Sequence, residues 1–180
     1  SFDLQGRLVL AAWHNSMILR YDLATDHIQP ICGTGERAYG GDDGPAELAL
    51  INLPSSTAFD PAGRMYISDQ ENQRIRVVDL DGTISTAVGN GEPGFSGDGG
   101  PAHKARIYAP IGQAAPPTSR IAIDDRGTLY IAGNGEFPPN PRGAADEGVS
   151  ALAVSLYWPC DVAIDSEGRV FFADTFNHCV

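Results

Sequence analysis

Four short apolar runs occupy matching places along this chain: Leu8-Val-Leu10, Met65-Tyr-Ile67, Leu129-Tyr-Ile131 and Val170-Phe-Phe172. Each follows one polar residue (Arg7, Arg64, Thr128 or Arg169) and a tetrapeptide that opens on Asp and closes on Gly. The tetrapeptides are Asp3-Leu-Gln-Gly6, Asp60-Pro-Ala-Gly63, Asp124-Asp-Arg-Gly127 and Asp165-Ser-Glu-Gly168. Asp opening a turn and Gly closing it, with apolar segments on both sides, predicts a hairpin. A hairpin that recurs at intervals of tens of residues predicts an array, because one such unit cannot bury its own apolar face.

The second copy defines the unit. Residues 57–59 and 65–68 flank the turn as strands a and b, residues 69–72 break the pattern, residues 75–78 alternate as strand c, residues 79–82 turn, and residues 84–88 close as strand d. Four short antiparallel strands per unit make the blade of a β-propeller. The expected class is therefore all-β, a β-propeller of four-stranded antiparallel blades with about three blades present.

The first copy aligns without gaps, residues 8–22 on 65–79, which puts Asn15 on Asn72; the last copy adds Asn177. Asn at this turn is expected to accept the left-handed conformation and to bond its own backbone. After strand d the first two units share a long loop, residues 33–46 beside 89–102, in which Asp followed by Gly and Pro predicts a single helical turn ending near Ala105. The third unit departs from the template. Gly133-Asn-Gly-Glu136 repeats Gly89-Asn-Gly-Glu92 directly after strand b, so about twenty residues, the length of strands c and d, are missing; either this blade is truncated or the chain joins two stretches not contiguous in a parent protein, and the raw edge that a truncation leaves on strand b favours the second. The units run approximately over 1–53, 54–116, 117–158 and 159–180, forming one propeller fragment over 1–180 that begins inside one blade and stops inside another.

The residues at 89–102, 69–78 and 174–178, with the pair Asn177-His178, closely resemble the NHL-repeat family of β-propellers, in particular its bacterial form with a Gly-Asp-Gly-Gly-Pro-Ala loop. The resemblance implies a ring usually of six blades, of which this chain supplies about half. Its structural partners would then be the remaining blades or accessory domains of a parent chain. Similarity to bacterial surface and secreted proteins implies an extracytoplasmic or secreted location.

Composition narrows the function classes. A formal net charge of -11 opposes nucleic-acid binding, which needs a basic stripe. No apolar run approaches the length of a membrane span. Cys32 falls at the end of a strand d, as a small buried hydrophobe. Cys160 and Cys179 begin strands a and c of the last unit, near one end of its sheet, where they are either two thiols or a disulfide. Non-adjacent strands lie about 10 Å apart, so a disulfide needs the strand ends to bend together.

Gly89-Asn-Gly-Glu-Pro-Gly94 fits the Gly-x-Gly-x-x-Gly pattern of dinucleotide sites, but Pro93 and the glycines after it deny the helix that such a site requires. Asp42, Asp43 and Asp98 in the acidic loops are candidates for calcium, set against ordinary turn capping. Asp161 is the one carboxylate placed near the start of an inner strand, against Ser55, Ser56, Thr118 and Ser119 in the other units. No Ser or Cys nucleophile comes with an acid-base frame.

A propeller gathers its b–c turns and d–a loops on one face around the channel mouth. That face is expected to display Trp13, His14, Gln70, Glu71, Tyr108, Trp158, Phe176 and His178, a mixture of aromatic and polar groups suited to recognition. The expected function is a non-catalytic module binding a protein or small extracellular ligand there. A metal-dependent propeller lyase or hydrolase is the alternative, and assembly through exposed blade edges is a third class.

Overall fold

The computed structural model describes residues 1–109, 111–112, 120–131 and 159–174. Among these the chain is all-β: strands joined by turns, loops and four single-turn 3-10 helices. The first unit supplies β1 (Leu8–Ala12), β2 (Met17–Asp22) and β3 (His27–Cys32), an antiparallel sheet in that order. Phe2 bridges Leu8 and Val9 N donates to Ser1 O, so the first residues lie where the inner strand belongs.

A two-residue strand, β4 (Gly44–Pro45), precedes the second unit, which supplies β5 (Pro54–Phe59), β6 (Met65–Asp69), β7 (Arg74–Val78) and β8 (Thr83–Val88). The resulting five-stranded sheet has the order β4-β8-β7-β6-β5. Two further hairpins follow: β9 (Ile121–Ile123) with β10 (Leu129–Ile131), and β11 (Pro159–Ile164) with β12 (Val170–Asp174). Strand β5 packs beside β1 and β9, and β9 beside β11, so successive units stack through their inner strands. The truncation expected in the third unit concerns residues 132–158, outside the described residues.

The recurring tetrapeptide forms one turn wherever it occurs. In the second unit Asp60 Oδ1 accepts from Ala62 N at 3.0 Å and Arg64 N at 2.9 Å, while Arg64 Nε reaches back to Oδ2 at 2.6 Å. Asp3 with Arg7 and Asp165 with Arg169 repeat the whole arrangement, and Asp124 keeps its backbone half with Arg126 and Thr128. In the three copies where the residue after the glycine is Arg, it is the cation that closes the ring on the aspartate. Burial works against ionisation of Asp60, yet the hydrogen bonds from Arg64 outweigh it and hold the carboxyl below its ordinary range.

The main core lies between the first two blades. Val9, Ile18 and Cys32 of the first sheet meet Met65, Ile67, Val78 and Ile84 of the second, with Ala46, Ala49 and Ile51 of the connecting loop closing the gap. Burial pushes the Cys32 thiol up to about 12, consistent with the inert hydrophobe expected from sequence.

Three local expectations are corrected. Strand a of the second unit starts at Pro54 rather than at residue 57, with a bulge between Pro54 and Ser56. Its polar opening hides it from an apolar pattern, and Pro is tolerated as the first residue of a strand at the sheet edge. The left-handed residue of the b–c turn is not the asparagine but its successor: Ser16 at φ 49° and Gln73 at φ 53°. Asn15 and Asn72 instead end a 3-10 turn, whose C-cap is the point where the backbone reverses. The predicted helical turns form as Ala46–Leu48 and Ala102–Lys104, but the residues before the first of them also add β4 to the outer edge of the next blade.

Candidate functional site

The b–c turn of the second blade is the point to which both neighbouring d–a loops are fastened. On one side Asn52 N donates to Asp69 Oδ1 at 2.7 Å, Glu71 N to Asn52 O at 3.2 Å, and Asn72 Nδ2 to Ala38 O at 2.9 Å. On the other, Gln73 Nε2 donates to Ala109 O at 2.9 Å, Ala109 N to Gln73 Oε1 at 2.7 Å, and Gly112 N to Glu71 Oε2 at 2.8 Å. The first blade has a lighter version, with Leu53 N to Ser16 Oγ at 3.4 Å and Arg37 Nη2 to His14 O at 2.8 Å.

The sequence-predicted rim residues therefore differ in role. His14 and Tyr108 are exposed, Tyr108 by 46%, and Trp13 is half-buried with its ring edge-on to His14 at 6.4 Å. Glu71 is half-buried, its carboxylate engaged by Gly112. Gln70 is 1% exposed, which corrects its expected display: the 3-10 turn directs it inward, and its carbonyl accepts from Gln73 Nε2. Trp158, Phe176, His178, the Cys160 side chain and Cys179 lie outside the described residues.

Below the rim sits an ionic cluster that sequence reasoning missed. The Arg76 side chain on β7 is wholly buried between Asp69 of β6 and Asp42 of the preceding loop. Its Nη1 lies 3.3 Å from Asp69 Oδ2, its Nε 3.1 Å from Asp42 Oδ1, and Nη2 pairs with the same Asp42 oxygen and with Gly40 O. Tyr39 Oη and Thr86 Oγ1 donate to the second Asp42 oxygen at 2.8 and 2.7 Å. Burial opposes ionisation at Asp42, but Thr86, Tyr39 and Arg76 together hold its carboxyl below the ordinary range. At Asp69 burial prevails and pushes the carboxyl up to about 6, against the lowering effect of Asn52, Asn72 and Arg76. The available signal was a charged residue amid the apolar residues of strand c, and an Asp in the loop that sequence assigned to capping or calcium.

Asp42 thus spends its oxygens on Arg76, Tyr39 and Thr86. Asp98, its counterpart in the second loop, is exposed, and so is Asp161 on β11, whose Oδ1 accepts from Val162 N at 2.9 Å. Among the described residues no group of three or more His, Cys, Asp or Glu side chains is disposed to hold a metal, and no helix is long and apolar enough to cross a membrane. An open cleft of about 400 Å³ lies outside the ionic cluster, lined by Tyr39, Asp42, Arg74, Thr86, Asn90 and His103 among others. The Arg74 guanidinium stacks on Tyr39 at 3.8 Å there.

No family model matches the chain. Among curated proteins it is similar to Teneurin-m of Drosophila melanogaster, 32% identical over 99 residues, 48% of this chain and 4% of that one. It is also similar to protein SUPPRESSOR OF QUENCHING 1, chloroplastic, of Arabidopsis thaliana, 29% identical over 75 residues, 42% of this chain and 7% of that one. The chain thus spans less than a tenth of the length of either relative. Among solved structures, a protein of unknown function from Bacteroides thetaiotaomicron superposes with a TM-score of 0.60 at 23% identity, over 73% of this chain and 31% of that one. An auxiliary nutrient binding protein from the same organism gives 0.54 at 24%, over 73% and 33%. A catalytically inactive virginiamycin B lyase from Staphylococcus aureus gives 0.52 at 13%, over 96% and 46%. These likenesses concern the fold, and with the stacked antiparallel sheets they identify the chain as part of a β-propeller.

Proposed function

We propose that this chain belongs to a non-catalytic propeller of the NHL-repeat type, which recognises a protein or other ligand on the loop face around its channel, outside the cytoplasm. The observation that carries this reading is the mounting of Tyr108. Its neighbour Ala109 is held at both backbone polar atoms by Gln73, so a half-exposed aromatic ring stands on a loop that binding need not order. Trp13 and His14 stand on the b–c turn of the first blade, and aromatic side chains on fixed backbone make effective binding anchors. Family resemblance, through the Asp69-x-x-Asn72 and Gly-Asp-Gly-Gly-Pro-Ala segments, supports the NHL assignment and the location. The propeller fold alone does not choose a function.

The test is a binding screen of the full-length protein on peptide and glycan arrays, followed by Trp13→Ala and Tyr108→Ala. Each variant is expected to weaken the selected ligand on the order of tenfold. Undiminished binding by both overturns the reading. Asp161, exposed on an inner strand, is the feature that favours the second reading, a metal-dependent lyase or hydrolase. Stoichiometric, tightly held calcium or zinc in the full-length protein, lost on Asp161→Asn, would establish that alternative.

A further inference from the structure

Loops 33–53 and 89–109 are two copies of one object, and only the first is seen doing its work. A common set of backbone bonds recurs at matching positions in both. Gly33 N to Ala46 O matches Gly89 N to Ala102 O, Thr34 N to Ala49 O matches Asn90 N to Ala105 O, and Gly44 N to Gly41 O matches Gly100 N to Gly97 O. Pro45 (φ -61°, ψ 129°) and Pro101 (φ -64°, ψ 127°) share one extended conformation ahead of one 3-10 turn.

The first loop uses this shape to clasp the next blade. Asp43 N donates to Ile84 O at 2.8 Å and Ala46 N to Gly82 O at 2.9 Å, making β4 the outermost strand over β8. Asp42, two residues before β4, meanwhile enters the second blade to meet Arg76 on β7 and Thr86 on β8. The clasp therefore covers a sheet edge with backbone bonds and answers a buried cation with a carboxylate.

We propose that loop 89–109 is a second, preformed clasp, whose partner is a β-hairpin carrying a buried arginine on its inner strand and an open edge on its outer strand. Asp98 corresponds to Asp42, and the amides of Gly99 and Ala102 to those of Asp43 and Ala46. Asp98 is exposed, and no described strand pairs with Gly100 or Pro101. The loop holds the donating conformation with no such pairing among the described residues, so the ordering cost of docking is already met. The first clasp, seated on its own arginine-bearing hairpin, specifies the chemistry of the acceptor.

Amide exchange and arginine side-chain resonances in the full-length protein test this. Gly99 and Ala102 amides are expected to be protected to within tenfold of those of Asp43 and Ala46. Asp98→Ala should abolish protection at Gly99 and Ala102 alone, and remove one slowly exchanging arginine Nε–H signal other than that of Arg76. Exchange at Gly99 and Ala102 more than a hundredfold faster than at Asp43 and Ala46 in the unmodified protein overturns the proposal. Protection that survives Asp98→Ala with every arginine signal intact overturns it equally.

Discussion

Gln73 holds Ala109 as a strand partner would, its amide donating to the Ala109 carbonyl at 2.9 Å and accepting from the Ala109 N–H at 2.7 Å. A side chain from the b–c turn of one blade thereby substitutes for backbone pairing in the loop that leads to the next. Both residues are buried, so neither Ala109 group has water to fall back on.

Truncation at this position should be costly. Gln73→Ala orphans two buried backbone groups, each worth about 1–3 kcal/mol. Gln73→Glu keeps the acceptor for Ala109 N but offers no donor to Ala109 O, so its loss should be intermediate near neutral pH. Urea unfolding of the three proteins gives the order; a Gln73→Ala midpoint equal to the parent's would refute the role assigned to this amide.

Arg76 is expected to be the least replaceable side chain of the second blade. Its guanidinium is fully buried between Asp69 and Asp42 and also reaches the carbonyls of Gly40 and Leu50. Breaking a buried ion pair by removing one partner costs about 3–5 kcal/mol, because the opposing charge stays behind. Arg76→Met leaves two carboxylates, so its loss should exceed that of Asp42→Asn. Chemical denaturation measures both, and the reverse order would show that the cluster is not organised around the arginine.

The same cluster sets a pH dependence. The Asp69 carboxyl titrates at about 6 in the folded chain against an ordinary value of 3.8, so between these values the folded state binds more protons than the unfolded. Stability then falls as pH rises from about 4 to about 6, at up to about 1.4 kcal/mol per pH unit, and levels off above. Asp3, Asp42 and Asp60 act in the opposite sense below that window: their carboxyls are held low, and what they contribute is lost as pH falls through the acid range. Thermal unfolding across the acid and neutral range should show a maximum on the acid side of neutrality. Asp69→Asn should flatten the decline between about 4 and about 6, and a variant with an unchanged slope would place the titration elsewhere.

Much of the architecture is legible in sequence because it is local. The Asp-x-x-Gly turn needs only four residues, a following Arg closes it in three of the four copies, and Asp60 and Arg64 state both in sequence. Alternation places β6, β7 and β8 to within one residue at most of their ends. What escapes depends on partners far apart in the chain. Asp42 reads as a turn or calcium residue in sequence since Arg76 lies 34 residues away. Gln70 is expected on the rim since only the 3-10 turn reveals that it faces inward. Tyr108 and His14, placed from loop position in the same way as Gln70, are exposed, so loop position alone does not separate the two outcomes.

Two glycines with nearly equal φ should respond very differently to a methyl group. Gly82 closes the β7–β8 turn at φ +85°, where an added Cβ would meet nothing within 4 Å, whereas Gly33 sits at φ +88° where a Cβ would stand 2.6 Å from Ser16 O. Gly82→Ala therefore meets only the left-handed backbone penalty, about 1–2 kcal/mol. Gly33→Ala adds a collision with a backbone oxygen in the best-packed part of the molecule, between the first two blades, bringing its total to about 2–5 kcal/mol. The pair isolates packing from dihedral strain, since the second is common to both. Calorimetric melting of the two variants should place Gly33→Ala clearly below Gly82→Ala, and coincident melting temperatures would mean that the first loop yields to the intrusion and that its close seat against the b–c turn is not needed for stability.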